Sequence, residues 1–415
     1  MPEHIDPVDE IPGMPPAVAG THAGGGANQV RVRAYNERLL LSLVRRTAGL
    51  SKADIARLSG LSAQTASVII RALEKDGLLM RGEPVRGRVG KPSVPMSLNP
   101  DGAYSFGLKI GRRSAELVLM DFVGTVRDSS IETYKYPTPD NIRQFVRNAT
   151  SGLIARLTPS QRGRIAGLGI AVPFELWNWV DEMGAPEQDM AAWRDIDLAE
   201  VIGEIVSFPV FLQNDATAAC GAELVFGQGA NYADFAYFFI GSFIGGGVVL
   251  NQAVYAGRTG NAGAFGSMPV VDQAGKPSQL IDQASLFALE EMLHGAGIDP
   301  TRLWRDPESW REISLQLDQW IAQAARSLAL AITSVCSVID FETVIVDGGF
   351  PAFVREKIVN AIRREFNGLD LQGIAMPRVE PGAVGSGARA IGAASLPLFS
   401  RYLLDQNVLF KQVEP

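Results

Sequence analysis

Apolar residues near the start of the chain recur at helical spacing, and between residues 51 and 73 that spacing is interrupted once, at a glycine. In Ser51 to Arg71 (SKADIARLSGLSAQTASVIIR), Ile55 and Leu58 share one face of a first helix that Ser51 can cap. Gly60 supplies a tight turn, and Leu61 is placed to plug the angle between two helices. Ser62 then caps a second helix with Ala66, Ile69, Ile70 and Leu73 inward. This pattern predicts a helix-turn-helix. Its polar positions leave Ala63, Gln64, Thr65 and Ser67 outward at the start of the second helix, with Arg71 about one turn on. Small and hydrogen-bonding side chains there suit a helix tip entering a major groove. An ordinary pair of core helices is the alternative.

The next segment favours DNA. Gly77 ends the second helix, Leu78-Leu79-Met80 starts a strand, and Arg81 to Ser93 (RGEPVRGRVGKPS) is basic and rich in Gly and Pro. That is the order of a winged helix-turn-helix, with Arg86, Arg88 and Lys91 placed to follow phosphates or enter a narrow minor groove. Charge follows the same division. Residues 29–98 hold 13 Lys and Arg against 5 Asp and Glu, whereas the whole chain of 415 residues carries −7. A basic module on an acidic body is what phosphate neutralisation requires.

Beyond residue 100 the apolar runs read as an α/β body. SFGLKI (105–110) and AELVLM (115–120) are strands around a Gly111-Arg112-Arg113 turn, and Thr125 to Glu132 is a third. IAGLGIAV (165–172) is a buried strand closed by Pro173. PVFL (209–212) leads into Gln213-Asn214-Asp215 and a small-residue helix from Ala216 to Phe226. The uncharged stretch 235–257 is long enough to span a bilayer, but its five glycines point to a buried hairpin. Long helices are predicted over Leu280–Leu293 and Trp310–Ile339, then a strand at Thr343–Val346 and a closing Gly/Ala-rich helix opened by Gly382 to Ser395. Strands followed by glycine turns, repeated twice, predict two similar lobes around a cleft. Cys220 and Cys336 sit in apolar contexts and give no disulfide framework, which fits a reducing cytosol. Met1 to Ala27 lacks the basic and apolar regions of a secretory signal and reads as disordered.

The winged helix-turn-helix, the glycine turns, the Asn-Asp strand end and the SFIGGG turn together resemble the ROK family (repressors, open reading frames and sugar kinases), in its transcriptional-regulator branch. The resemblance covers the chain after residue 28. It implies an N-terminal winged helix-turn-helix followed by a two-lobed, actin-like ATPase (RNase H-like) body. The expected division is a tail over 1–28, the DNA-binding domain over 29–98, a first lobe over 99–213 plus 383–415, and a second over 214–382. It also implies a sugar between the lobes, and dimers or tetramers.

The motifs depart from the family's kinases. Their Asp-x-Gly-Gly-Thr turn is replaced by Lys109-Ile110-Gly111-Arg112-Arg113-Ser114, and Phe243 puts bulk into the second phosphate turn, Gly241 to Gly247. These changes argue against ATP chemistry, so no catalytic residue and no cofactor are expected. The Glu-x-Gly-His motif is replaced by Ala264-Phe265-Gly266-Ser267. Val270 to Asp282 has neither Cys nor His, so the family's zinc has no ligands there and no metal is expected. Asn214 and Asp215 remain where the family keeps its Asn and catalytic Asp, and could contact an effector. A helix cap is the competing role for Asp215. Glu175, Trp177 and Asn178, in FELWNWV, offer hydrogen bonds and stacking faces for a sugar or polyol, or else pack as a hydrophobic loop. The expected function is a cytoplasmic regulator that binds double-stranded operator DNA, without membrane association, and represses carbohydrate uptake or catabolism genes. A sugar kinase carrying a DNA-binding module, and a DNA-binding protein with an inert sensor, are the alternatives.

Overall fold

The structure, a computed structural model, describes residues 25–47, 49–84, 94–180, 184–272, 274–305 and 308–404. The N-terminal module contains α1 (Gly25–Arg46), α2 (Lys52–Ser59), α3 (Ala63–Lys75) and an antiparallel hairpin of β1 (Leu79–Arg81) and β2 (Met96–Leu98). The first helix starts at Gly25, inside the stretch expected to be an unstructured tail. Ser51 closes a full capping box with Asp54, and Ser62 accepts from the Thr65 amide, so both serines cap as their positions predict. Ala66, Ile69, Ile70 and Leu73 are all buried. Leu58 is not: it is 45% exposed, and Ala56 joins Ile55 in the core instead. On a face centred between residues 55 and 56, a residue at 58 falls about 110° away.

The body holds two five-stranded sheets of the same order. In the first, β3 (Tyr104–Ile110), β4 (Ser114–Asp121) and β5 (Val126–Thr133) form an antiparallel meander, and β6 (Ile165–Val172) and β7 (Val210–Asn214) run parallel to β3. The second repeats this with β8 (Phe235–Ile240), β9 (Ile244–Leu250) and β10 (Ala253–Tyr255) as the meander. A short hairpin of β11 (Pro269–Val271) and β12 (Pro277–Gln279) follows, and β13 (Thr343–Gly348) and β14 (Arg378–Pro381) run parallel to β8. The uncharged stretch 235–257 is therefore sheet, as its glycines predict.

Helices cover the outer faces: α4 (Pro139–Ala155) packs on the first sheet. Over the second lie α6 (Leu286–Gly295), α7 (Ser314–Val338) and α8 (Ala352–Glu365). The two long helices predicted here are shorter than their apolar runs, because Ser285 caps α6 and Ile313 interrupts the turn before α7. By length and composition α7 could cross a membrane, yet Trp320, Leu328 and Ile332 on it are core residues of the second lobe. Two small-residue helices, α5 (Asp215–Phe226) and α9 (Ala388–Tyr402), lie between the sheets. Glycine permits that approach. A Cβ on Gly392 would collide with the Ala218 carbonyl, and one on Gly169 with the Ala393 carbonyl.

Candidate functional site

The candidate reader surface is built on α3. Gln64 and Thr65 are exposed on its first turn, Thr65 Oγ1 lies 2.8 Å from Ser62 Oγ, and Arg71 donates to Ser67 Oγ at 3.1 Å. Val68, 57% exposed, continues this face. Gln64, Thr65 and Val68 form one wall of a groove whose other wall is Gln29, Val32, Arg33 and Asn36 of α1. Glu74 ties the module together, accepting from Lys52 Nζ at 3.2 Å and from Arg81 Nε at 2.6 Å. The hydrogen bond from Arg81 holds its carboxyl below the usual range. The β1–β2 hairpin supplies the wing; Arg86, Arg88 and Lys91 lie outside the described residues.

The cleft between the sheets holds a cavity of about 130 Å³. Its lining includes both glycine turns, the Asn214–Asp215 strand end, Asn261, Gly263, Ala264, Gly266 and Ser267. Each turn closes on its own backbone. The Gly111 amide donates to the Ser114 carbonyl at 3.0 Å, and the Gly241 amide to the Phe243 carbonyl at 2.8 Å, so both backbone donors are used within their own turns. The bulky side chains cross the cleft. Arg112 pairs with Glu290 of α6 at 2.5 Å, and both side chains are 5% exposed. Its guanidinium also lies 4.9 Å from the Phe287 ring centre. From the other side, Phe243 stacks on Trp179 with ring centres 4.3 Å apart.

Asn214, not Asp215, caps α5, accepting from the Ala216 and Thr217 amides at 3.1 Å each. The cap expected of Asp215 belongs to its neighbour because the helix begins one residue earlier than Ala216. Asp215 is thereby left for the cleft, where Arg389 of α9 donates to its Oδ2 at 3.2 Å. Lys109 is buried behind this pair and donates to Ser114 Oγ at 3.0 Å. Burial, and then repulsion from Arg389, push its ammonium down to about 7.

Asn214 and Asp215 line the cavity; Glu175, Trp177 and Asn178 do not. Glu175, in a left-handed conformation (φ 48°), and Asn178 are exposed and bonded to each other at 2.7 Å. Trp177 packs against the core of the first lobe. Phe174 and Trp179 of the same segment face the cavity instead, with Ser242, Asn261, Ser267 and Arg389. The β11–β12 hairpin, where the family's zinc element belongs, is closed by Asp272, which accepts from the Ala274 and Lys276 amides at 2.8 Å each. These residues do not fit a zinc ion.

The ROK family profile matches residues 105–398, and a winged helix-turn-helix DNA-binding profile matches residues 33–80. A xylose repressor of Bacillus spizizenii is 29% identical over 244 residues, which are 59% of this chain and 62% of the repressor. The chain thus spans about three fifths of the length of that relative. A ROK family transcriptional regulator described as a homologue of the Escherichia coli MLC protein superposes with a TM-score of 0.65 at 18% identity, covering 92% of this chain and 98% of its own. A ROK glucokinase from Streptomyces griseus, solved with glucose and AMPPNP, gives 0.57 at 22% identity, covering 71% of this chain and 99% of its own. Repressors and kinases thus share this fold. The chain belongs to the ROK family, with an N-terminal winged helix-turn-helix.

Proposed function

We propose that this chain is a cytoplasmic transcriptional regulator that binds operator DNA through α3 and the wing, and answers to a sugar or polyol in the cleft. The observation that carries it is a pairing on one chain. An exposed, Ser62-capped helix bearing Gln64 and Thr65 precedes a ROK cleft whose two phosphate turns are filled by Arg112 and Phe243. Gln64, Thr65, Ser67 and Arg71 contact bases or adjacent phosphates, and Arg86, Arg88 and Lys91 serve the wing. Asn214, Asp215 and Asn261 offer hydrogen bonds to hydroxyls, and Phe174 and Trp179 offer apolar faces. Repression, control of carbohydrate genes and assembly as homodimers or homotetramers are drawn from the family and from the names of the relatives. Paired modules would meet two half-sites, and closing the cleft would alter their fit.

Phosphoryl transfer is the rival reading, and the side chains of Arg112 and Phe243 in the two phosphate turns oppose it. Two assays decide. Selection from a random DNA pool should yield a preferred sequence that Gln64→Ala relaxes, and Arg88→Ala should flatten the salt dependence of binding. ATP-dependent phosphorylation of sugars should be absent; turnover that Asp215→Asn abolishes would overturn the regulator reading.

A further inference from the structure

One helix touches both the cleft and the DNA-binding module. At its start, Arg389 of α9 reaches Asp215, and its guanidinium lies 5.0 Å from the Phe239 ring centre. At its end, Arg38 of α1 donates from Nε to the Leu403 carbonyl at 2.8 Å and from Nη2 to the Phe399 carbonyl at 3.0 Å. The Leu404 amide donates to Ser42 Oγ at 2.9 Å, and Arg45 lies 5.2 Å from the Phe399 ring centre. Such carbonyls, near the end of a helix, have no partner inside it, so α1 completes α9 rather than merely resting on it. The apolar contacts agree: Leu398, Leu403 and Leu404 share one core with Leu40, Ile55 and Ile70 of the DNA-binding helices.

Between these ends α9 is closely packed along its first half. Glycines bring the strands of the first sheet against the Ala390 and Ala393 carbonyls, and Gly392 brings α5 against it at Ala218. A helix of this length spans about 20 Å. Pro397 lies inside α9, between Arg389 and Phe399, so a displacement at the first turn reaches the far end as a pivot about the packed Gly392 segment and that proline. That first turn is also the part a cleft ligand can reach, since Arg389 and Asp215 line the cavity and their side chains are each 16% exposed.

We infer that Arg389 is the positioning residue through which an occupant of the cleft acts on DNA binding. A polyhydroxylated ligand whose hydroxyls donate to the Asp215 carboxylate displaces Arg389, and α9 conveys the release to Arg38 and the reader helices. The inference rests on the reading of the cleft as an effector site and of α3 as the DNA reader. It adds the route between them.

The test uses the full chain and the DNA fragment that the wild-type protein retains most strongly from a random pool. Arg389→Met removes the contact without a ligand. It should change DNA affinity by about tenfold, within the range usual for coupled sites, and raise amide exchange over residues 36–46. Asp215→Asn should act in the same direction, and the double variant should add nothing to the larger single effect. Arg389→Lys should restore most of the wild-type affinity. Gln144→Ala, on the exposed face of α4 and outside the cleft, should leave affinity and exchange unchanged. Wild-type affinity and exchange in both Arg389→Met and Asp215→Asn would overturn the proposal. So would a loss in Arg389→Met that merely tracks a lower Tm and that Arg389→Lys fails to restore. Failure of the wild-type protein to retain any fragment would sink the DNA reading instead, while the exchange data would still report on the route.

Discussion

Lys109-Ile110-Gly111 and Phe239-Ile240-Gly241 hold the same place in two sheets of the same strand order, each leading into the first hairpin turn of its lobe. Their turns close the cleft by different physics. In the first lobe the residue after Gly111 is Arg112, which carries a charge into a buried pair with Glu290 of the opposite lobe. In the second, Phe243 reaches back and stacks on Trp179 of the first lobe. One contact is ionic and almost fully desolvated, the other aromatic and partly open to water. A shared frame thus carries two latches that should fail under different conditions, and that difference can be measured.

The largest effect should come from breaking the ionic latch on one side. Glu290→Ala takes from the buried Arg112 guanidinium its partner on α6 and from Arg113 a contact at 3.7 Å, and deprives Trp304 Nε1 of its acceptor at 3.1 Å. Loss of one member of such a pair costs about 3–5 kcal/mol, and a urea titration would read it as a large fall in midpoint at unchanged slope. Removing both charges is the sharper experiment. Arg112→Met with Glu290→Leu should recover most of the loss, because a buried pair gains little net stability over apolar residues of similar volume. A double variant as unstable as Glu290→Ala would mean that the pair itself, not the imbalance of charge left by breaking it, holds the lobes.

These latches also mark where sequence reading runs out. The inward set on α3 and both serine caps were legible because each depends on neighbours within one or two turns. The hairpin at 235–250 was legible from its apolar runs and glycines. The cleft is assembled from distant segments: Arg389 meets Asp215 across 174 residues, and no local period announces that meeting. Arg112 and Phe243 were readable as bulk in glycine turns, but not the partners they would find. Trp177 and Trp179 show the same limit at short range. They are two residues apart around an irregular turn, where spacing assigns no side. Both pack on the first lobe, but only Trp179 also stacks on Phe243.

A smaller effect is expected at the aromatic latch. Phe243→Ala removes the stacked ring and part of the cleft's apolar lining but leaves no buried charge behind. Roughly 2 kcal/mol is expected from lost stacking and burial together. The loss should be insensitive to salt and pH, and Phe243→Leu should recover part of it. A loss equal to that of Glu290→Ala would erase the distinction between the two latches.

The smallest difference lies one step before each turn, and pH exposes it. Phe239 is buried against the Arg389 guanidinium, a favourable contact, whereas Lys109 is buried and repelled by the same group. Burial and that repulsion bring the Lys109 ammonium from 10.5 to about 7 in the folded chain. Between those values the unfolded chain binds more protons than the folded one, so this residue makes stability rise with pH from about 7 toward 10. Below pH 7 the ammonium is charged in both states, and its burial penalty is fully present. Lys109→Met removes that penalty while keeping the length of the side chain, at the cost of the hydrogen bond to Ser114. The variant should be more stable than wild type by on the order of 1 kcal/mol at pH 6, with the gap narrowing as pH rises. Differential calorimetry at pH 6, 7.5 and 9 would show the trend. A gap that widens with pH would mean that Lys109 is held charged in the folded chain, its ammonium stabilised rather than penalised beside the first turn.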